Sequence, residues 1–392
     1  MNPDTSRPHS SVELLRRLVA FPTVSRDSNL DLIHFVRDAL KPCGAEIRLT
    51  YDDDGRKANL FATLGPRGDG GVALSGHTDV VPTEGQAWDT NPFEMVERDG
   101  KLYGRGTADM KAFIACALAI VPELLERGLK APLHLALSYD EEVGCLGVGR
   151  LIADLQRAAI RPGACIVGEP TGMRPVIAHK GKKSFRCTVR GLAGHSAYSP
   201  RGVNAVEYAA EAIAFLKSMA RRHRDQGPYD HGFDVAHTTV HAGVIRGGTA
   251  LNVIPHECTF EFEFRHLPGD DPDRLLHEFR EYVRTQLEPE MRAVHPDAGF
   301  AIEPLSTIPM LDTGAETEIV ALAQALAGSG DFGKVSYGTD GSQFHRAGIP
   351  TVILGPGSIA QAHKPNEYID LDQIARCEAF LRRLGDRLCL RP

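Results

Sequence analysis

Val72-Ala73-Leu74-Ser75-Gly76-His77-Thr78-Asp79-Val80-Val81-Pro82 opens as a short apolar run and closes on a His-x-Asp pair. The spacing predicts a buried strand over Val72–Gly76. His77 then stands at the carboxyl end of that strand, where open α/β sheets gather their functional groups. In extended chain, residues i and i+2 share a face, so Asp79 lies beside His77 and can accept its second ring N–H. A His-x-Asp pair by itself suits a structural histidine equally well, so the flanking sequence has to decide.

Upstream, Val12, Leu15, Leu18 and Val19 follow helical spacing from Ser11, and a second helix runs from Ser28 to Lys41 with Gly44 as its stop. Glu46–Tyr51 and Asn59–Leu64 read as strands. Downstream come a long helix Ala108–Arg127 closed by Gly128, a strand Leu133–Tyr139, a helix Leu146–Ala158 and a short buried strand Cys165–Val167. Strands alternating with helices imply an α/β fold with a helix-covered sheet. The pattern then changes. Lys183–Arg190 (strand), Asn204–His223 (helix), Thr238–Ile245 and Thr259–Arg265 (strands), Pro272–Leu287 (helix) and Phe300–Pro304 (strand) form the order β-α-β-β-α-β, which is ferredoxin-like. After it, helix Ala315–Ala327, strand Thr351–Leu354 and helix Asp372–Leu388 resume the α/β character. The economical organisation is a catalytic domain, residues 1–181 and 296–392, interrupted by an inserted α+β lid, residues 182–295. In Thr259–Arg265, Phe260, Phe262 and Phe264 alternate with Glu261, Glu263 and Arg265, which suits an edge strand open to a second subunit.

Composition narrows the functional class. With 42% hydrophobic and 24% charged residues the chain is an ordinary globular one, and a net charge of −7 offers no attraction to nucleic acid or acidic membrane. The eight cysteines include no CxxC pair and several lie in apolar runs, which points to reduced, buried thiols and a cytoplasmic setting. The polar stretch Met1–Ser11 has no signal-peptide core, and the longest apolar run, Ala112–Pro122, is too short to span a bilayer.

Four further blocks carry chemistry. Gly104-Arg105-Gly106-Thr107-Ala108-Asp109 places Asp109 at the start of the long helix, where a helix cap is the plain alternative. Asp140-Glu141-Glu142 follows strand Leu133–Tyr139. Neighbours on extended chain point to opposite sides, so Glu141 and Glu142 take different tasks, one binding metal and one acting on a water; a solvated turn is the alternative. Glu169 ends strand Cys165–Val167, and Gln361-Ala362-His363-Lys364-Pro365-Asn366-Glu367 follows strand Thr351–Leu354. Four apolar strands each deliver a His or an acid to one edge of one sheet, so the blocks read as one site rather than five loops. Zinc takes nitrogen from His and oxygen from carboxylates, and this donor set suits it.

In this order and spacing, the five blocks resemble the dinuclear zinc hydrolase family of aminoacylases, glutamate-type carboxypeptidases and desuccinylases. The resemblance covers nearly the whole chain. It implies a zinc-peptidase-like catalytic domain with a mixed sheet and an inserted lid through which two subunits dimerise. It also implies two Zn(2+) ions, with Co(2+) or Mn(2+) as substitutes. By position, His77 and Glu169 would hold one zinc and Glu142 and His363 the other, with Asp109 bridging. Glu141 would be the general base and Asp79 the support of His77. In the lid, Gly191-Leu192-Ala193-Gly194-His195-Ser196-Ala197 also resembles this family, whose matching His reaches across the dimer to hold the oxyanion; His195 takes that role. Asn252 offers an amide in a loop between strands. Arg265 ends a strand with a fork suited to a substrate carboxylate or, alternatively, to a salt bridge with a neighbouring strand.

Within the family, His179–Lys182, Pro200–Tyr208, Gly247–Asn252 and Gly355–Ile359 leading to His363 are most similar to the branch that deacetylates N-acetylornithine in arginine biosynthesis. Ala112 and Tyr337-Gly338-Thr339-Asp340-Gly341-Ser342 depart from that branch's pattern. Asp340 is expected to pair with a cationic substrate side chain. The same chemistry on other N-acyl amino acids, on succinyl-diaminopimelate or on dipeptides stays open, as does a non-catalytic metal-bearing dimer module. Glu141 argues against the last, because a structural zinc site needs no free base.

Overall fold

A computed structural model describes residues 10–389 of the 392, so most of the polar N-terminal stretch lies outside the described residues. The chain divides into two compact units, Met1–Ala178 with Leu311–Gly333 and Thr339–Pro392, and His179–Met310 with Lys334–Gly338. A boundary at His295 would cut strand Gly299–Ile308 from the sheet it pairs with, so the second unit extends past the expected limit.

The first unit is built on a nine-stranded mixed sheet. Its spatial order is Glu46–Tyr51, Ala58–Leu64, Leu133–Ser138, Val72–His77, Ala164–Pro170, Thr351–Gly355, Val176–His179 and Leu311–Asp312, with Gly333–Val335 added beside Val176–His179. Val72–His77 runs parallel to both Leu133–Ser138 and Ala164–Pro170, and Thr351–Gly355 is parallel to Ala164–Pro170. Because these four strands share a direction, their carboxyl ends open on the same edge. Val72–His77 and Leu133–Ser138 are buried throughout, as strands inside a helix-covered sheet must be. Helix Ala112–Arg127 packs between helices Ser11–Val19 and Leu371–Cys389, and helices Leu30–Leu40 and Val148–Arg157 pack on strand Ala58–Leu64.

The long helix begins at Ala112, not at Ala108. Asp109 (φ −123°, ψ 92°) is extended and Met110 also leaves helical geometry, so Asp109 is not a cap. Periodicity could not reveal this, since the apolar spacing continues through the irregular turn. Short strands Val96–Arg98, Lys101–Tyr103 and Tyr368–Asp370 form a small separate sheet that sequence periodicity did not signal.

In the second unit, an antiparallel sheet runs in the order Thr239–Gly247, Glu257–His266, Gly181–Arg190, Gly299–Ile308. Helix Ala205–Gln226, capped by the Asn204 side chain on the Val206 and Glu207 amides, and the helical segment from Pro272 to Val294 complete the β-α-β-β-α-β chain. Phe260, Phe262 and Phe264 are buried with Phe185 and Phe279 in one aromatic core, while Glu261, Glu263 and Arg265 occupy the other face. Strand Glu257–His266 pairs on both sides and is therefore central rather than an edge; the edges are Thr239–Gly247 and Gly299–Ile308. Alternation reports which side chains are buried but not how many neighbours a strand has.

Candidate active site

His77 closes strand Val72–His77 and is 1% exposed. Its Nε2 lies 3.0 Å from Asp109 Oδ1 and 3.7 Å from Glu169 Oε1. His363 is on the loop after Thr351–Gly355, with its Nε2 2.9 Å from Glu142 Oε2 and 3.4 Å from Asp109 Oδ2. One carboxylate, Asp109, thus turns one oxygen to each histidine. Glu141 Oε1 accepts a hydrogen bond from the Cys145 thiol at 3.5 Å. The structure therefore brings His77, Asp109, Glu141, Glu142, Glu169 and His363 to one place, as the strand-end argument requires.

Local sequence explains how the strands that carry the candidate ligands fit. Gly168, just before Glu169, lets the Phe113 ring lie against the strand; a Cβ there would sit 1.9 Å from Phe113 Cγ. Gly76 likewise leaves room for Met110, whose Cε would be 2.8 Å from an added Cβ.

Asp79 works differently from expectation. The His77 Nδ1 hydrogen bond goes to the Asp79 backbone carbonyl at 2.9 Å, while the carboxylate Oδ1 stays 3.6 Å away. The carboxylate instead accepts the Ser25 hydroxyl (2.7 Å) and the backbone N–H groups of Glu141 (3.1 Å) and Glu142 (3.3 Å). The shared face of i and i+2 brought Asp79 to His77 as predicted, but the two amides of the turn after Ser138 needed an acceptor and took the side chain.

Asp340 is also placed otherwise than expected. It is 1% exposed, accepts a short hydrogen bond from Ser138, and lies within reach of Glu141 and Cys145. A group so enclosed is poorly suited to greet a substrate side chain, and we read it as a buried support close to Glu141.

His195, Asn252 and Arg265 belong to the second unit. His195 is exposed, paired with Val253 in a two-residue ladder, and its Nδ1 accepts the Ala197 amide at 3.1 Å. The Asn252 carbonyl accepts the Ser196 amide at 3.1 Å, and the residue is exposed. Arg265 Nε donates to Glu263 Oε1 at 2.9 Å, a partner on its own strand rather than a neighbouring one.

The electrostatics of the cluster call for cations. Burial first, then the Asp109 charge, pushes Glu169 well above the carboxylate range, and burial does the same to Glu141. Burial disfavours the His77 cation, yet Glu169, Asp109 and Asp79 together outweigh it and raise its pKa well above the ordinary value. Hydrogen bonds to Asp109 and Glu142 raise His363 to about 10. Among the described residues, Glu169 Oε1 is buried without a hydrogen-bond partner. Buried carboxylates that cannot all be ionised unaided, the orphaned Glu169 oxygen and two imidazoles fit a divalent metal centre, which would supply the missing positive charge. Candidate ligand atoms of His77, Asp109 and Glu142, and those of His77, Glu141 and Glu169, lie within 4.8 Å of one another.

Sequence reasoning passed over Lys57, which binds Asp140 Oδ1 at 2.6 Å, and the buried pair Arg105–Glu367 at 2.8 Å. Both Arg105 and Glu367 stood inside the motif blocks; the available signal was a charge with no assigned task.

The family model described as peptidase family M20/M25/M40 matches residues 73–387. The chain is 39% identical to an acetylornithine deacetylase of Myxococcus xanthus over 96% of each chain, and 36% identical to one of Proteus mirabilis over 97% of each. Among solved structures, the aminopeptidase PepT of Bacillus cereus has the same fold with a TM-score of 0.74 at 20% identity, covering 99% of this chain and 100% of that one. The Bacillus subtilis YXEP protein, a dinuclear metal-binding M20 peptidase, gives a TM-score of 0.65 at 16% identity over 96% of this chain and 97% of its own.

Proposed function

Because the chain belongs to peptidase family M20/M25/M40 and is a metal-dependent hydrolase, we propose that it hydrolyses the amide of N-acetyl-L-ornithine to L-ornithine and acetate, a step of arginine biosynthesis in the cytoplasm. The observation that carries the reading is Asp109, whose two oxygens face His77 at 3.0 Å and His363 at 3.4 Å. Near-full-length likeness to proteins named for that deacetylation supports the choice of substrate.

In this reading His77 and Glu169 would hold one zinc and Glu142 and His363 the other, with Asp109 offering an oxygen to each. The two ions, when bound, supply Lewis acidity toward the acyl oxygen and lower the pKa of the attacking water. Glu141 takes the proton of that water at its carboxylate and returns it to the departing α-amine, so one group serves as base and then as acid. Its raised pKa, caused by burial, suits a proton that must be accepted and then released. Asp79 holds the backbone beneath Glu141. The second unit acts as lid and dimer interface. There His195 would steady the oxyanion of the partner's site, and Asn252 and Arg265 would receive the substrate carboxylate.

The test is release of acetate from N-acetylornithine, compared with release of succinate from N-succinyl-diaminopimelate and with cleavage of a dipeptide panel, each with and without chelator. The reading expects chelator-sensitive turnover highest on N-acetylornithine. Preference for either of the others would move the substrate, and turnover indifferent to chelator would remove the metal.

A further inference from the structure

Glu367 has four hydrogen-bond donors on a carboxylate that is 1% exposed. Oε2 accepts Arg105 Nη1 at 2.8 Å and the Gly106 amide at 3.0 Å; Oε1 accepts the amides of Ala108 at 2.8 Å and Asp109 at 3.1 Å. An ionised carboxylate has about four lone-pair sites, so this one is saturated. Arg105, equally buried, continues the network. Its Nη1 also reaches the Lys364 carbonyl at 3.3 Å and its Nη2 the Gln86 Oε1 at 2.5 Å, while Gln86 Nε2 donates to the His363 carbonyl at 3.0 Å. The Gly104 amide donates to the Glu367 carbonyl at 2.9 Å, and strands Lys101–Tyr103 and Tyr368–Asp370 pair just beyond.

The two residues held by this network need it. His363 has φ of 64°, a left-handed conformation that is strained for a non-glycine residue, and its side chain is 54% exposed. Packing therefore does not fix it; its backbone carbonyl, tied to Gln86, does. Asp109 leaves helical geometry, and the N–H groups of Ala108 and Asp109 find their acceptor in Glu367. His77 and Glu169, by contrast, ride on paired, buried strands and take their positions from the sheet.

Building on the two-metal reading above, we propose that Glu367, Arg105 and Gln86 form a positioning unit. It sets Asp109 against His363 and so tunes the metal position of Glu142, His363 and Asp109 more than that of His77 and Glu169. Displacing Asp109 touches both positions, but displacing His363 touches only one, so the effect is asymmetric.

The experiment is calorimetric titration of the full-length, chelator-stripped protein with zinc, with circular dichroism to verify folding. Wild type should take up two ions. Glu367→Gln keeps the volume but turns an amide NH2 against donors, so one binding step should weaken by roughly 10–100-fold, the range for loss of a partner behind a metal ligand, and the other by clearly less. Equal weakening of both steps, or of neither, overturns the proposal while leaving the two-metal reading intact. Uptake of fewer than two ions by the wild type overturns the two-metal reading and this proposal with it. Should Glu367→Gln fail to fold, Gln86→Leu, which removes the prop on the His363 carbonyl and leaves Glu367 in place, must show the same one-sided weakening, and symmetric or absent weakening there refutes it equally.

Discussion

Asp79→Asn separates two tasks that a His-x-Asp pair can perform, namely orienting the imidazole and holding the turn that carries the base. The Asp79 carboxylate accepts the Glu141 amide through Oδ1, and the Ser25 hydroxyl and Glu142 amide through Oδ2. Asparagine can leave its oxygen in the Oδ2 position, where two donors meet it. Its NH2 then faces the Glu141 N–H, donor against donor, across the present 3.1 Å. The loss is one hydrogen bond to a charged acceptor, about 1.5–3 kcal/mol. Expressed wholly at Glu141, that corresponds to a fall in kcat of roughly 10–150-fold. His77 should keep its tautomer, because its Nδ1 partner is the Asp79 backbone carbonyl at 2.9 Å, which the substitution leaves in place. Metal content by elemental analysis should therefore match wild type while kcat on N-acetylornithine drops. Loss of metal with unchanged turnover per loaded site would refute the reasoning and return Asp79 to the service of His77.

Other expectations follow from the same geometry. Glu141→Gln should retain metal and lose about 10²–10⁴-fold in kcat, as removal of a general base does; single-turnover acetate release measures it, and near-wild-type turnover would dismiss Glu141 as the base. Chelation should lower Tm as well as activity, because Asp109, Glu142 and Glu169 lose their counter-charge, and re-added zinc should restore both; a Tm indifferent to chelator contradicts the metal centre. Gly168→Ala places a Cβ 1.9 Å from the Phe113 ring and should cost about 1–3 kcal/mol by overpacking, read from the denaturant midpoint; an unchanged midpoint would mean that Phe113 repacks freely. His134 is buried against Phe61, and burial lowers its pKa. The unfolded chain therefore binds its proton more readily than the folded one, and this contribution to stability is present above the unfolded value, about 6.5, and is lost as pH falls toward the lower folded value. Relative to wild type, His134→Phe should gain in Tm between pH 7.5 and 5.5; parallel profiles would show that His134 does not titrate in that range.

Strand ends were the most legible feature of this chain. Val72–His77, Leu133–Ser138 and Ala164–Pro170 announce themselves as apolar runs bounded by polar residues, and each run ends on or just before a candidate ligand. That placement is a property of local sequence, because a buried parallel strand must be apolar along its length and its first polar residues mark where it leaves the sheet. The β-α-β-β-α-β order was legible for the same reason, periodicity being a local quantity.

What sequence alone determined, then, was which residues follow the buried strands (His77, Glu141, Glu142, Glu169 and His363), that Asp109 precedes the long helix, and what chemistry these side chains allow. Tertiary structure alone decided how they are held. Asp79 gives its carbonyl rather than its carboxylate to His77, Asp340 accepts the Ser138 hydroxyl, and Glu367 reaches back to residue 109. Strand Glu257–His266 lies in the middle of its sheet. The physical reason is common to all four. A buried donor or acceptor must find a partner wherever the folded chain supplies one, and for Glu367 and Asp109 that partner is 258 residues away in sequence, beyond anything that spacing can report.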